Sequence, residues 1–403
     1  MIGTTKTTMA DNNNNGYDYN HIDGDNDGDD DEFESSKSKI SLKSNYKQKI
    51  VWRNVFALST LHLITIYSFY TSLSNPFLQW NHLIIADIFG RLSGLGILAG
   101  AHRLWAHRSY EASLSLRIFL MLLQTMALQN DIYDWCRDHR VHHKYSDTDA
   151  DPYNVRRGFF FSHMGWLLVR KHPEVIRKGL FYLSTGKLII LLLLLFKIGK
   201  TIDLSDLWAD PIVRFQRRFY IPLVILFWGL IPTYISHLLT DLPLWECFVC
   251  TVIVRYVVSL HCTWTVNSLA HMYGYQMFDQ SIEPRENRLV TYLSLGEGYH
   301  NYHHVFPWDY SASELGWNRC FNLATLFIDF CAWLGLAKNL KKPDRKLIEN
   351  RLKRTGNLDQ YIQQQQKTKK IFSIFFEYLL GFIISEHFIL TTFALRYLVI
   401  GKF

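Results

Sequence analysis

Four apolar runs, at 54–73, 83–101, 219–239 and 244–266, restrict what this chain can fold into more than any other feature. Each is about twenty residues, enough for one α-helix to cross a hydrocarbon core of ~30 Å. Lipid offers no hydrogen-bond partners, so a spanning backbone must satisfy its own N–H and C=O groups within the helix. The runs come in two pairs, joined by links at 74–82 and 240–243 that contain no Lys or Arg. The stretches outside the pairs are rich in both, so the positive-inside rule places the two links on the far side and everything else in the cytosol. The expected fold is an all-α integral membrane protein, with four transmembrane helices in two hairpins and a helical cytosolic cap at 102–218 and 267–340. Composition agrees: 48% of residues are apolar and 20% charged, although the first 46 are polar.

Around this membrane domain, at 47–340, lie three segments of other character. Residues 1–46 are rich in Asn, Asp and Gly and cannot bury enough apolar surface to offset chain entropy, so they read as disordered. They lack the apolar stretch of a secretory signal, which leaves the N-terminus cytosolic. Residues 341–370 form a basic polar linker, and 371–403 are apolar again but broken by Glu377, Glu386, His387 and Arg396. Acids in mid-segment are costly at the bilayer centre, so a surface-lying or packed helix is expected there. Leu188–Phe196 is apolar but too short to span and reads as a helix on or under the membrane.

The net charge of +7 suits anionic lipid head groups or an anionic substrate, and no basic-aromatic module points to nucleic acid. The 6 cysteines form no disulfide framework; Cys247 and Cys250 sit in an apolar run and read as buried thiols. Asp87 and Arg91, at i and i+4 within the second run, can pair inside a bundle, whereas Arg255 in the fourth has no partner that the sequence names.

Eight of the 17 histidines fall in three short boxes: His102 with His107, His139 with His142 and His143, and His300 with His303 and His304. On a helix, positions i, i+3 and i+4 share one face, and a face of imidazoles suits a metal. Spacing alone leaves iron, zinc, copper and nickel open. His102 and His107, at i and i+5, would lie about 140° apart on an α-helix, so they should serve different metals or straddle one cluster. Eight imidazoles exceed one coordination shell, which implies two metals. No Glu stands between paired histidines as in a zinc protease, and the carboxylate-bridged four-helix di-iron pattern of Glu residues with two Glu-x-x-His pairs is not found. Asp138, Asp147, Asp149 and Asp151 are candidates for orienting the rings, for pairing with donors, or for plain solvation.

The wider motifs carry a resemblance. His102-Arg-Leu-Trp-Ala-His107, Asp134-Trp-Cys-Arg-Asp-His-Arg-Val-His-His-Lys144 and Gly296-Glu-Gly-Tyr-His-Asn-Tyr-His-His304 resemble the membrane acyl-CoA desaturases of the animal Δ9, or stearoyl-CoA, type. Arg156-Arg-Gly-Phe-Phe-Phe-Ser-His-Met-Gly-Trp166, Arg170-Lys-His-Pro173 and Thr263-Trp-Thr-Val-Asn-Ser-Leu-Ala-His271 extend the likeness over about Val51 to Gly356. It implies a di-iron centre held by His102, His107, His139, His142, His143, His271, His300, His303 and His304, with Asn267 reaching the metal through water. It implies a cis double bond placed in a saturated long-chain acyl-CoA, using O2 and electrons from cytochrome b5 and its reductase, in the endoplasmic reticulum membrane.

The same resemblance puts Trp135, Thr263 and Trp264 at the bend of an apolar acyl tunnel. It puts Arg53, Asn54, Asn130, Arg137, Asp138, Trp166, Arg170 and Lys171 at the CoA. Ala86, Gly90 and Gly94 fall near the tunnel's closed end, where small side chains would leave room. No haem-binding His-Pro-Gly-Gly follows, so the electron donor should be a separate protein.

Overall fold

A computed structural model describes residues 47–74, 80–179, 202–363 and 374–386. The leader at 1–46, the run at 188–196 and the chain after 386 lie outside the described residues. What is described is built almost wholly of helices, with one two-stranded pairing of Glu111–Ala112 against Ala337–Lys338.

Three helices are long and apolar enough to cross a membrane: Asn81–Ala106, Tyr220–Thr240 and Leu244–Met272. They coincide with the runs expected at 83–101, 219–239 and 244–266. The first expected span falls on helix α1, Trp52–Ser74, which is 23 residues long but less apolar than these three. Hydroxyls inside α1 donate back to carbonyls one turn earlier, Thr65 to Leu61 at 2.9 Å and Ser68 to Ile64 at 2.7 Å, so they cost little in an apolar setting. The other three are α2 (Trp80–Leu95, continuing through Gly96–Ala106), α3 (Tyr220–Thr240) and α4 (Leu244–Met272). A tight turn at Asp241, with φ of 56°, folds α3 against α4. Leu63, Ile66, Tyr67 and Tyr70 on α1 and Ile221, Leu230, Leu238 and Leu239 on α3 point outward uncovered. So much outward-facing apolar surface suits lipid, not water.

Between the membrane-capable helices lies a buried core. Helix α5 (Leu114–Ala127) is capped by Ser113, and α6 (Ile132–Tyr145) is capped by Asp131, whose carboxylate accepts from Asp134 N at 3.0 Å. Leu116, Leu120 and Met121 of α5 and Ile132, Cys136 and Val141 of α6 pack with Ala99, Ala101, Leu104 and Trp105 of α2. Gly96 makes this approach possible. A Cβ there would lie 2.2 Å from Gln124 N, so only glycine lets the two backbones meet.

Charges within the helices find partners. Arg91 bonds Asp87 at 2.6 Å, the pair expected from sequence, and also reaches Ser385 and Glu386. Arg255 is held by oxygens rather than by an acid: Thr251 O at 2.6 Å, Met126 O at 3.3 Å and Ser93 Oγ at 3.4 Å. Cys247 and Cys250 are free, buried thiols. The described part of the C-terminal apolar segment is one helix, Ile374–Ser385, packed against the short helix Arg288–Leu293. Gly381 there lies against the Phe321 ring, and Glu377 pairs with Arg288 and accepts from Tyr292 at 3.0 Å.

Candidate metal centre

The three boxes and His271 come from four helices. His102 lies in the last turn of α2, and His271 in the last turn of α4. His139, His142 and His143 share a face of α6. His300, His303 and His304 lie on the short helix His300–Val305. That helix is pinned from both sides. Asn301 accepts from Phe278 N at 2.7 Å and Asp279 N at 3.0 Å, and donates to Asp279 O and Pro284 O. Tyr302 N donates to the buried Glu286 at 2.8 Å.

The nine histidines converge in two groups. His102, His107, His139, His143 and His303 form one, and His142, His271, His300 and His304 the other; within each group the ring nitrogens lie within 4.8 Å of one another. One expectation is corrected. Of the two readings for His102 and His107, separate metals is not what the fold gives: their ring centroids are 4.9 Å apart and both belong to the first group. The reason is local. Gly96–Ala106 winds as a π-helix, with His107 N bonded to His102 O, so residue i+5 stacks over residue i instead of lying across from it.

Proton counting shows what these groups need. A neutral imidazole carries one N–H. His142 Nδ1 donates to Asp151 at 2.9 Å, which leaves its Nε2 as a bare lone pair, buried and without a partner. His102 Nδ1 faces Glu297 at 3.2 Å, and its Nε2 lies 2.8 Å from His303 Nε2. His303 Nε2 is also 3.1 Å from His143 Nε2, while His300 Nε2 meets both His271 at 3.0 Å and His304 at 3.2 Å. One proton cannot serve two such contacts, so lone pairs face one another. A cation resolves that repulsion, and the donor set fits a transition metal.

The electrostatics keep most rings in the ligand form. Burial first, and then repulsion from neighbouring rings, pushes His107, His139, His143, His300, His303 and His304 well below the ordinary imidazole range. His142 differs: burial lowers it, but Asp151 more than offsets that and raises it.

Of the four acids near the second box, two face rings. Asp151 holds His142, and Asp147 stands 3.4 Å from His271 Nδ1, an ion-pair contact longer than a well-formed hydrogen bond. Asp149 is exposed, and Asp138 pairs with Arg137 and Lys171. Sequence reasoning missed Glu297. It is buried between His102 and Arg103, whose guanidinium lies 2.5 Å from it and also donates to Thr325 at 2.8 Å. Burial raises Glu297, yet Arg103 and His102 hold it down at about 2. The usable signal was a Glu three residues before His300 and an Arg next to His102.

The remaining candidates fall into two sets. Gln48–Val51 runs beside Leu168–Arg170, with Val51 N bonded to Leu168 O at 2.8 Å, and Asn54 donates to Leu167 O at 2.8 Å. This brings Arg53 and Asn54 to the segment carrying Trp166, Arg170 and Lys171, and Lys171 in turn reaches Asp138 and, through it, Arg137. A shallow crevice is lined here by Trp166, Lys171, His172, Arg157 and Asp151. Asn130 is exposed in the turn before α6, and among the described residues no hydrogen bond or ion pair joins it to this set. Trp135 stacks on His139 at 4.9 Å. Thr263 is held at 3.1 Å by Gln129, another residue not anticipated, and Trp264 beside it is buried. Asn267 is half-buried one turn before His271 on α4.

Residues 78–336 match the fatty acid desaturase family model. The chain belongs to the fatty acid desaturase family. It is 51% identical over 312 residues to stearoyl-CoA desaturase 5 of Bos taurus, covering 77% of this chain and 86% of that protein. It is 49% identical over 311 residues to stearoyl-CoA desaturase 5 of Homo sapiens, 77% and 87% of the two chains. Over 309 residues it is 50% identical to an acyl-CoA desaturase of Cyprinus carpio, 76% and 87% of the two chains. Family membership makes it a membrane-associated oxidoreductase with a metal site among its histidines.

Proposed function

We propose that this desaturase is an acyl-CoA Δ9-desaturase. It forms a cis double bond in a saturated long-chain acyl-CoA, taking O2 and electrons from cytochrome b5 with its reductase. The convergence of nine histidines into two groups carries this reading: the inner faces offer imidazole lone pairs and no carboxylate base, which suits oxygen activation on open-shell iron better than hydrolysis. Two irons are the proposed cofactors, held by His102, His107, His139, His143 and His303 and by His142, His271, His300 and His304, with Asn267 acting through water. When bound, they supply the oxidising power that removes hydrogen from two adjacent carbons.

The protein's own residues hold, orient and shield. Asp151, Asp147 and Glu297 fix ring orientations. Trp135, against His139, and Thr263 with Trp264 on α4 place the acyl bend beside the first histidine group. Arg53, Asn54, Asn130, Arg137, Asp138, Trp166, Arg170 and Lys171 take the CoA end, where guanidinium and ammonium groups suit phosphates. The proposed topology has α1 as a fourth span, both hairpin links on the far side and the histidines in a cytosolic cap. The proposed home is the endoplasmic reticulum. Gly90 and Gly94 make the closed end of the acyl path roomy.

Expression in a desaturase-deficient cell, followed by fatty-acid profiling, tests the reading. Cis-Δ9 monoenes are the expected product. A hydroxylated chain without a double bond would instead assign an oxygenase on the same metal chemistry. Replacing Arg170 and Lys171 together by alanine should raise KM for acyl-CoA about tenfold with kcat nearly unchanged, because the phosphate contact is made equally in ground and transition states. An unchanged KM with weaker attachment to anionic vesicles would mark these two as lipid-surface anchors.

A further inference from the structure

Three histidines outside both metal groups form a continuous string. His62 is on α1, His261 on α4, and His163 at the end of the short helix Phe159–His163. His62 Nδ1 lies 2.7 Å from Leu58 O, and His62 Nε2 lies 3.1 Å from His261 Nε2. His261 Nδ1 is 2.9 Å from His163 Nε2, and His163 Nδ1 is 2.9 Å from Ser268 Oγ. A carbonyl only accepts, so with neutral rings Leu58 settles the direction as far as His163 Nε2. His62 donates there and must accept at Nε2. His261 therefore donates from Nε2 and accepts at Nδ1, His163 donates from Nε2, and His163 Nδ1 faces the Ser268 hydroxyl. One tautomer per ring satisfies the contacts from Leu58 through to His163 Nε2. Turning His62 or His261 breaks two of these bonds.

Two rings of the string flank Trp264. His261 meets its indole edge-on at 5.2 Å and 77°, and His163 does so at 5.6 Å and 76°. Ser268, fully buried, lies one turn after Trp264 and 2.9 Å from its carbonyl oxygen. His163 is itself stacked on Phe159 at 5.2 Å, so the cap end of the string is packed as well as bonded. Edge-to-face contacts favour one ring orientation over its alternatives.

We propose that His62, His261 and His163 are positioning residues for regioselectivity: their string locks the Trp264 ring, and the ring sets which pair of methylenes stops beside the metal centre. This rests on the reading that Trp264 flanks the acyl bend. A rotated indole would change the depth at which the chain turns and hence move the oxidised carbons along it.

The test uses the full-length, iron-loaded enzyme with stearoyl-CoA and reads double-bond position by mass spectrometry, alongside iron content and melting temperature. His261→Leu removes both central bonds, while His261→Gln keeps an amide able to donate and accept. The expected result for His261→Leu is that about a tenth or more of the monoene moves to neighbouring positions. That corresponds to registers separated by only ~1.4 kcal/mol. His261→Gln should largely restore the single position, and iron content should match wild type in both. His62→Phe serves as the second variant if His261→Leu does not fold, with the same expected spread.

A wild-type product pattern in a folded His261→Leu or His62→Phe enzyme, whatever its rate, overturns the proposal. So does a spread that His261→Gln fails to reduce. A wild-type enzyme that forms no monoene at all rejects the acyl-CoA reading itself, which separates the two failures.

Discussion

His303→Ala should abolish turnover while the protein still reaches the membrane. His303 Nε2 is in contact with both His102 at 2.8 Å and His143 at 3.1 Å, so its ring links the α2 and α6 contributions to the first group. Removing it takes away a proposed ligand and opens a cavity at a buried position of the site. Loss of a residue that merely orients a ligand costs ten- to a hundredfold in metal affinity or activity, so loss of the ligand should exceed about a hundredfold. His142→Ala should act likewise on the second group, because its inward Nε2 has no other partner. Fatty-acid profiling and iron per chain, measured on the purified variants, check both. Full desaturation with bound iron in either variant would contradict the ligand assignment.

Glu297→Gln is the second large effect, and it is felt in stability as well as activity. The substitution keeps the shape but leaves Arg103, 1% exposed, as a buried cation whose carboxylate partner is gone. Breaking one side of a buried pair costs about 3–5 kcal/mol. The amide also gives His102 Nδ1 a weaker acceptor, which loosens the ring facing His303. A lower melting temperature in detergent and a ten- to a hundredfold loss of activity are expected, from the cost of disturbing a ligand's partner.

The pH dependence has a definite sign. Glu297 is held at about 2 in the fold, below a free Glu near ~4.3, so its contribution is present above the unfolded value and fades as pH falls from there toward 2. The melting-temperature gap between wild type and Glu297→Gln should therefore be widest above about pH 5 and narrow below pH ~4.3. A gap that stays constant through this window would show that Glu297 is not an ionised partner.

Much of the site was legible because its chemistry is written in short, regular spacings. His139, His142 and His143 fall on one helical face by counting alone, and the structure places their rings side by side as counting requires. What counting could not supply was helix type. A spacing of five means opposite faces in an α-helix and one face in a π-helix, and the winding of Gly96–Ala106 goes with Gly96 meeting α5. Asp149 and Asp151 looked equivalent in the sequence, yet only Asp151 points at a ring; the difference is a turn geometry set by its bonds to Asp147 N and Tyr153 N. Arg255 had no visible partner because its partners are mostly backbone oxygens, which sequence does not display.

By itself, then, the sequence determined that this chain is helical and membrane-bound and that eight boxed histidines gather, since apolar length and residue spacing are local properties, while His271 came only from the family resemblance. Only the tertiary structure decided how those histidines divide into five and four, that Arg103 and Glu297 brace the first group, and that His62, His163 and His261 meet around Trp264. Arg103 with Glu297, His62 with His261 and His163 with His261 join residues about a hundred or more positions apart. They exist because packing forces buried polar atoms to find partners wherever the fold brings them within reach.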